Sequence, residues 1–231
     1  MSRLNLILNI LNRNLEGEYI SFCKKQKIAH TAVMLGNGTA SKSILDYLGV
    51  ENNEKVIFQS VVPGERVASL FEGLRVNFGI NLPGTGIAMS IPLESVGGTH
   101  SMKYLTEGQS MAATEEKTMK ESVYSLITVI SEKGCSDMVM DAARAAGARG
   151  GTVVHAKGTG TAETAKFFGV SITPEKEMLY IATRKSEKNA IMKAIIEKAG
   201  PHTAAKAVVF SLPVEDIAGL SSLENLPNAE E

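Results

Sequence analysis

A chain of 231 residues with 44% hydrophobic content can bury one full core or two modest ones. Twenty-four basic against twenty-five acidic residues leave a formal charge of -1, which gives no general attraction to nucleic acid or an anionic membrane, and 5% aromatic content without Trp gives no platform for stacking bases. Cys23 and Cys135 are too few and too unpatterned for a disulfide framework or a zinc site, and they fit a reducing compartment. No uninterrupted apolar run approaches the ~18 residues of a membrane span, so the expectation is a cytoplasmic protein with no membrane insertion and no nucleic-acid partner.

The opening, MSRLNLILNILNRNLEGEY, has one early Arg and an apolar run broken by Asn5, Asn9 and Asn12. It reads as a strand, Leu4–Ile10, rather than a leader. A helix over Glu18–Lys27 and a strand over Thr31–Leu35 follow. A glycine-bearing loop, Gly36–Val50, leads to a strand over Lys55–Val62, a helix over Arg66–Phe78 and a strand over Gly86–Ile91. In Thr99–Val123 the stretch Ser110–Ser122 is rich in Ala, Glu, Lys and Met, and its charge spacing favours a connecting helix over a mobile linker. Ser125–Ser131 is an apolar, β-branched run and therefore a strand. Ser136 stands where an N-cap would, and Met138, Ala142, Ala145 and Ala146 give helical spacing up to Gly147. Thr152–Ala156 is a strand, and a Gly, Thr and Ala-rich loop ends near Thr173-Pro174. Met178–Thr183 is a strand, Glu187–Lys198 an amphipathic helix, and Ala207–Leu212 the last strand. The acidic tail from Ser221 shows no apolar period and is expected to be disordered.

The chain thus says nearly the same thing twice. Gly36-Asn37-Gly38-Thr39-Ala40 recurs as Gly158-Thr159-Gly160-Thr161-Ala162, Leu48-Gly49-Val50 as Phe168-Gly169-Val170, and Ile91-Pro92-Leu93-Glu94 as Leu212-Pro213-Val214-Glu215, at offsets of 122, 120 and 121. Both copies read βαββαβ, so the fold class is α+β: two tandem ferredoxin-like sandwiches, each a four-stranded antiparallel sheet with two helices on one face. The expected division is residues 1–98, a divergent first repeat; 99–123, a linker; 124–220, the second repeat; and 221–231, the tail. Ile127, Val129, Val208 and Phe210 share their strands with further apolar residues, which predicts sheets buried on both faces, the second against another sheet.

The densest candidate for chemistry is Ala148–Ala162. Gly150 and Gly151 admit close backbone approach, Gly158 and Gly160 permit turns whose amides face an anion, and Arg149 and Lys157 add charge. On spacing alone such a turn is more often a plain strand exit. The run Gly147-Ala148-Arg149-Gly150-Gly151-Thr152-Val153, then Lys157-Gly158-Thr159-Gly160, a long loop, a strand, a helix and a last strand, resembles the nitrogen regulatory PII signalling family. The match covers most of Tyr124–Leu212. The resemblance implies a trimeric, non-enzymatic sensor that holds an adenine nucleotide in clefts between subunits and moves a large loop against a partner protein. Arg149, Gly151, Thr152, Lys157, Gly158, Thr159, Gly160 and Lys206 are its implied ligand-binding residues, with Gly36, Asn37 and Gly38 the counterpart in the first copy. The partner would meet loops 36–50 and 158–173.

This chain departs from the family after Gly160, where Thr161-Ala162 replaces Arg-Gln, and before the last strand, where Thr203-Ala204-Ala205-Lys206 replaces Gly-Asp-Gly-Lys. No arginine pair follows the final strand, where Pro213–Leu220 stands. No cofactor is required, and the ligand is left open between an adenine nucleotide, another small anion and none. In the first copy Lys27 is read as the counterpart of Arg149, Ile28–His30 of Gly150–Thr152, and Leu35 of Lys157. The four His have no metal-type partners in sequence, and His155 points to the face of Val153. Two other readings stand beside the sensor: a CutA-like oligomer of metal-related or structural role, lacking its clustered His, Cys or acidic residues here, and an enzyme, for which no nucleophile, base and orienting group assemble. Exposed sheets favour a homo-oligomer; the resemblance implies a trimer of tandem repeats, with intramolecular packing of one copy on the other in a smaller assembly as the alternative.

Overall fold

The computed structural model describes residues 4–28, 31–39, 53–82, 84–93, 103–107, 109, 122–157, 166–167, 170–171 and 175–220. The expected linker helix over Ser110–Ser122 and the tail from Ser221 lie outside these residues almost entirely. Chain contacts divide the molecule into a first unit, residues 1–35, 40–125 and 213–231, and a second, residues 36–39 and 126–212.

The first unit is built from β1 (Leu4–Asn12), α1 (Glu16–Lys25), β2 (Thr31–Gly38), β3 (Glu54–Pro63), α2 (Val67–Phe78) and β4 (Gly86–Pro92). Its sheet runs β2-β3-β1-β4, with β1 antiparallel to β3 and β4. The second contains β5 (Tyr124–Glu132), α3 (Ser136–Ala145), β6 (Thr152–Lys157), β9 (Glu175–Arg184), α4 (Lys185–Ala199) and β10 (Val208–Val214), in the order β10-β5-β9-β6. Each order, numbered within its own unit, is 4-1-3-2, the ferredoxin-like arrangement, and the α+β expectation is met in both halves. Between β6 and β9, Lys166–Phe167 (β7) pairs with Val170–Ser171 (β8), a short hairpin inside the expected loop.

Strand alternation places each core. In β1, Ile7 and Leu11 face the helices, joining Tyr19, Phe22, Phe58, Phe71, Leu74 and Phe78; in the second unit Ile127, Val129, Leu179, Ile181, Ile191 and Ile195 play that part. The opposite face is also buried: Leu8, Ile57 and Met89 in the first unit and Leu126 and Val154 in the second are outside those clusters yet hidden from solvent. That expectation fails at β10, where Val208 and Phe210 are 56% and 41% exposed. They sit on the outermost strand of the second unit, where few neighbours can cover a side chain.

Two features were missed. The chain continues past β10 into β11 (Asp216–Ala218), which pairs antiparallel with β4 in the first unit. The second is that Gly36–Gly38, expected in a loop, end β2 and pair with β6: Gly36 opposite Val154, Asn37 opposite Val153 and Gly38 opposite Thr152. The helix C-termini also correct the alignment of the copies. Lys27 has φ 55° and Gly147 φ 98°, each just past its helix, and Ile28 N–H bonds Cys23 O as Ala148 N–H bonds Ala143 O. Lys27 is therefore the counterpart of Gly147, not of Arg149, and the first copy holds a left-handed position without glycine, at a cost of about 1 kcal/mol.

Helix packing in the first unit depends on Gly73, where an added Cβ would lie 2.8 Å from the Phe22 ring. Because Phe22 is buried among Tyr19, Phe71 and Phe78, the ring has little room to yield. Gly73→Val is expected to destabilise by about 1–3 kcal/mol in urea unfolding, whereas Gly17→Val, on the same helix pair with open space around it, should cost well under half of that.

Candidate functional site

Of the predicted site residues that are described in the second copy, those other than Lys206 fall at the two ends of β6. At its start, Arg149 is exposed, Thr152 is buried, and Gly151 is bonded three ways to Thr39. Thr39 N–H and Oγ1–H both donate to the Gly151 carbonyl, each at 3.0 Å, and Gly151 N–H donates to Thr39 Oγ1 at 2.8 Å. Arg144 adds a bond to the Thr39 carbonyl. Space is tight at Gly151, where a Cβ would stand 3.1 Å from both Met140 Sδ and the Tyr180 carbonyl oxygen. Gly36, Asn37 and Gly38 lie along this half of the strand.

At the other end Lys157 faces Glu175 in register. Five strand steps separate Thr152 from Lys157, about 17 Å at ~3.3 Å per residue. Within one copy the glycine start and Lys157 therefore do not share one small-anion pocket. Gly158, Thr159 and Gly160 lie outside the described residues, as do 40–50 of the first predicted partner loop and most of 158–173 of the second.

The strand order brings the end of β5, the end of β6, the start of β9 and the start of β10 to the same side of the sheet. The sequence reading did not foresee the charges gathered there. Lys176 Nζ bonds Glu132 Oε1 and Lys133 Nζ bonds Glu175 Oε2, both at 2.5 Å. Lys206 is exposed with φ 45°, held by a Lys206 N–H to Thr203 carbonyl bond, and its charge acts on Glu132. Glu177, on the face of β9 that Glu175 shares and opposite to Lys176, is buried; its Oε2 accepts the Ser136 N–H at 3.0 Å and so caps the start of α3, while Oε1 lies 4.0 Å from His155 Nδ1. His155 follows Val153 on the helix-facing side, as alternation predicted. Cys135, not Ser136, occupies the N-cap position.

The signal for these pairs was in the sequence. An antiparallel match of Glu132-Lys133 with Glu175-Lys176 sets each acid against the other strand's base. The first copy repeats the pattern at offsets of 120 and 121: Arg13 bonds Glu54, and Lys55 bonds Asn12. Arg13 takes the place of Lys133, and in the second pair an amide replaces the carboxylate; burial lowers the Lys55 pKa from its ordinary value.

The Lys176 hydrogen bond holds Glu132 below the usual carboxylate range, assisted by the charges of Lys176 and Lys206 and opposed by desolvation. A carboxylate pKa depressed on folding contributes stability above its unfolded value and loses it as pH falls through the folded one. Glu132→Gln is expected to lower stability at neutral pH by about 0.2–1 kcal/mol, since the pair is partly exposed. Urea titrations should show the difference from wild type closing on acidification.

Among the described residues no group of three or more His, Cys, Asp or Glu is disposed to hold a metal, and no helix is long and apolar enough to cross a membrane. Residues 124–222 match the family described as nitrogen regulatory protein P-II. This part of the chain is a PII domain. Among solved structures, the chain aligns with Arabidopsis thaliana PII bound to citrate, at 23% identity over 42% of this chain and 79% of that one, with a TM-score of 0.33. An unknown protein from Galdieria sulphuraria aligns over 93% of this chain and 99% of its own at 9% identity and TM-score 0.27. A chlorite dismutase mutant from Candidatus Nitrospira defluvii aligns over 96% and 94% at 12% identity and TM-score 0.22. No curated protein matches the chain.

Proposed function

We propose that the chain is a tandem PII-like regulator that senses a small anionic ligand through its PII domain and signals to a partner protein in nitrogen-related metabolism, without catalysing a reaction. The observation that carries this reading is the family match over residues 124–222. Support comes from the charged cluster at the end of β5 and the start of β9, where Lys133 and Lys176 pair with Glu175 and Glu132 and the charge of Lys206 acts on Glu132. The equivalent paired residues at the same end of the first unit support a duplication. The partner would engage segments 36–50 and 158–173, though Gly36–Gly38 are committed to strand pairing in this state. The ligand would be held between subunits of a homo-oligomeric, trimeric assembly in the cytoplasm, as the family resemblance implies. An adenine nucleotide is the ligand to test first.

The experiment is thermal unfolding across ATP, ADP, AMP, cyclic nucleotides and S-adenosylmethionine, with and without Mg and 2-oxoglutarate. A ligand at about 100 times its dissociation constant adds roughly 2.7 kcal/mol. A shift with one nucleotide that disappears in Lys206→Ala supports the sensor. A shift unaffected by Lys206→Ala moves the ligand elsewhere, and no shift with any compound ends the adenine-nucleotide reading.

A further inference from the structure

The last described strand of the chain is seated in a groove that reads it residue by residue. All the groups involved belong to the first unit. Glu215 N–H donates to the Ser90 carbonyl at 2.9 Å, and Asn5 Nδ2 donates to Glu215 Oε2 at 3.1 Å and to Ser90 Oγ at 3.0 Å. Asp216, Ile217 and Ala218 then pair with Ser90, Met89 and Ala88 of β4. Ala218 enters the first unit's core and is 4% exposed. Gly219, with φ 91°, passes so close that a Cβ would overlap the Gly86 carbonyl oxygen and stand 2.9 Å from that of Ile80. The groove thus demands an acid, a short extended run with a small third residue, and a glycine four places after the acid. Recognition of this kind, main-chain bonds along an edge with pockets for alternate side chains, is that of strand addition to a sheet.

The segment that fills the groove arrives from the other unit. Residues up to Leu212 belong to the second unit and those from Pro213 to the first, and Glu215 alone separates β10 from β11. A one-residue break between two strands thus leads the chain into the groove. We propose that Glu215–Gly219 is an exchangeable strand that docks in trans on the Asn5, Gly86 and Ser90 edge of a second copy of this chain. The bonds made in trans are those made in cis, so exchange costs little once copies are concentrated. A short hinge at the junction favours it.

Two full-length variants test this, both carrying Cys135→Ser, one with Ser90→Cys and the other with Asp216→Cys, positions that are opposite in register. Mixed, incubated and oxidised with diamide, they are expected to give a cross-linked dimer whose yield rises with concentration and falls at least tenfold when Gly219→Ala is added to the second variant. A single chain carrying both Ser90→Cys and Asp216→Cys shows whether the pair can close in cis. If it closes while the mixed single variants never cross-link, the strand does not exchange and the proposal is wrong. If it does not close, a fluorescent peptide of residues 214–220 decides. Saturable uptake by the full-length protein, lost on Gly219→Ala in the peptide, supports exchange, and absence of uptake overturns it.

Discussion

Gly86→Ala is expected to destroy the folded first unit, with a loss of about 3–5 kcal/mol, among the largest effects a single methyl can have. Gly86 opens β4 at φ 153°, and a Cβ there would overlap the Ile10 carbonyl oxygen while lying 2.8 Å from Leu11 Cδ2. Ile10 is opposite Ile87 in the β1–β4 ladder, so the carbonyl cannot retreat without breaking the pairing of a central strand. The same residue's carbonyl is the close neighbour of Gly219, so a shift of β4 also disturbs the seat of β11. Gly134→Ala is the comparison, since Gly134 has φ 81° with nothing within 4 Å of a new Cβ. It carries only the conformational penalty, about 1 kcal/mol. Urea unfolding followed by circular dichroism should separate the two by several kcal/mol. Equal losses would mean that backbone conformation, and not the contact with Ile10, sets the role of Gly86.

Much of the fold was legible because apolar period and glycine placement agree at each level. Strand and helix types emerged in the right order, and most boundaries fell within two or three residues of those observed, as with β9, read as Met178–Thr183 and found over Glu175–Arg184. The extra residues at such ends are charged or polar, Glu175, Lys176 and Arg184 among them, and carry no apolar signal although the ladder includes them. β11 escaped for a different reason. Asp216-Ile217-Ala218 is too short for any period to show, and only a ladder to β4 and the close approach of Gly219 make it a strand. Gly36–Gly38 misled in the opposite sense, because glycines that suggest a turn by composition can equally serve an extended strand.

The candidate site was legible only in halves. Lys157 and Lys206 were singled out, and topology does bring the starts and ends of their strands to one side of the second unit's sheet. Arg149, Gly151 and Thr152 stand at the other end of β6, a distance that sequence adjacency hides because six consecutive residues look close on paper and are extended in the fold. The ion pairs of Glu132, Lys133, Glu175 and Lys176 carry only a faint signal before register is known, since a charge at a strand end is ordinarily a solvated one. Their recurrence in the first unit at the same offsets is the clue that a comparison of charges, rather than of glycines, would have found.

Tyr19→Phe is expected to cost about 2–3 kcal/mol, a large loss for one oxygen atom, because of what it leaves behind. Tyr19 is fully buried in the first unit's core, its hydroxyl bonded to Asn9, Cys23 and Ser60, while Thr31 joins Ser60 at 2.9 Å and bonds Cys23. Burial pushes both the Tyr19 hydroxyl and the Cys23 thiol above their ordinary pKa ranges, so both stay neutral near pH 7. Asn9 Oδ1 already lacks a hydrogen-bond partner, and removing the phenol leaves Asn9 Nδ2 without its acceptor as well. An orphaned buried polar group costs about 1–3 kcal/mol, whereas exchanging both partners for apolar groups of similar shape can be close to neutral. The second unit has made that exchange: at offsets of 120 and 121 the counterparts of Asn9, Tyr19, Cys23 and Ser60 are Val129, Val139, Ala143 and Ile181, all in its apolar core. Asn9→Leu combined with Tyr19→Phe should therefore destabilise by at least about 1 kcal/mol less than the sum of the two single changes. A double-mutant cycle in urea measures this coupling directly. Additive losses would show that the amide and the phenol do not depend on one another, and that packing volume alone sets the cost at Tyr19.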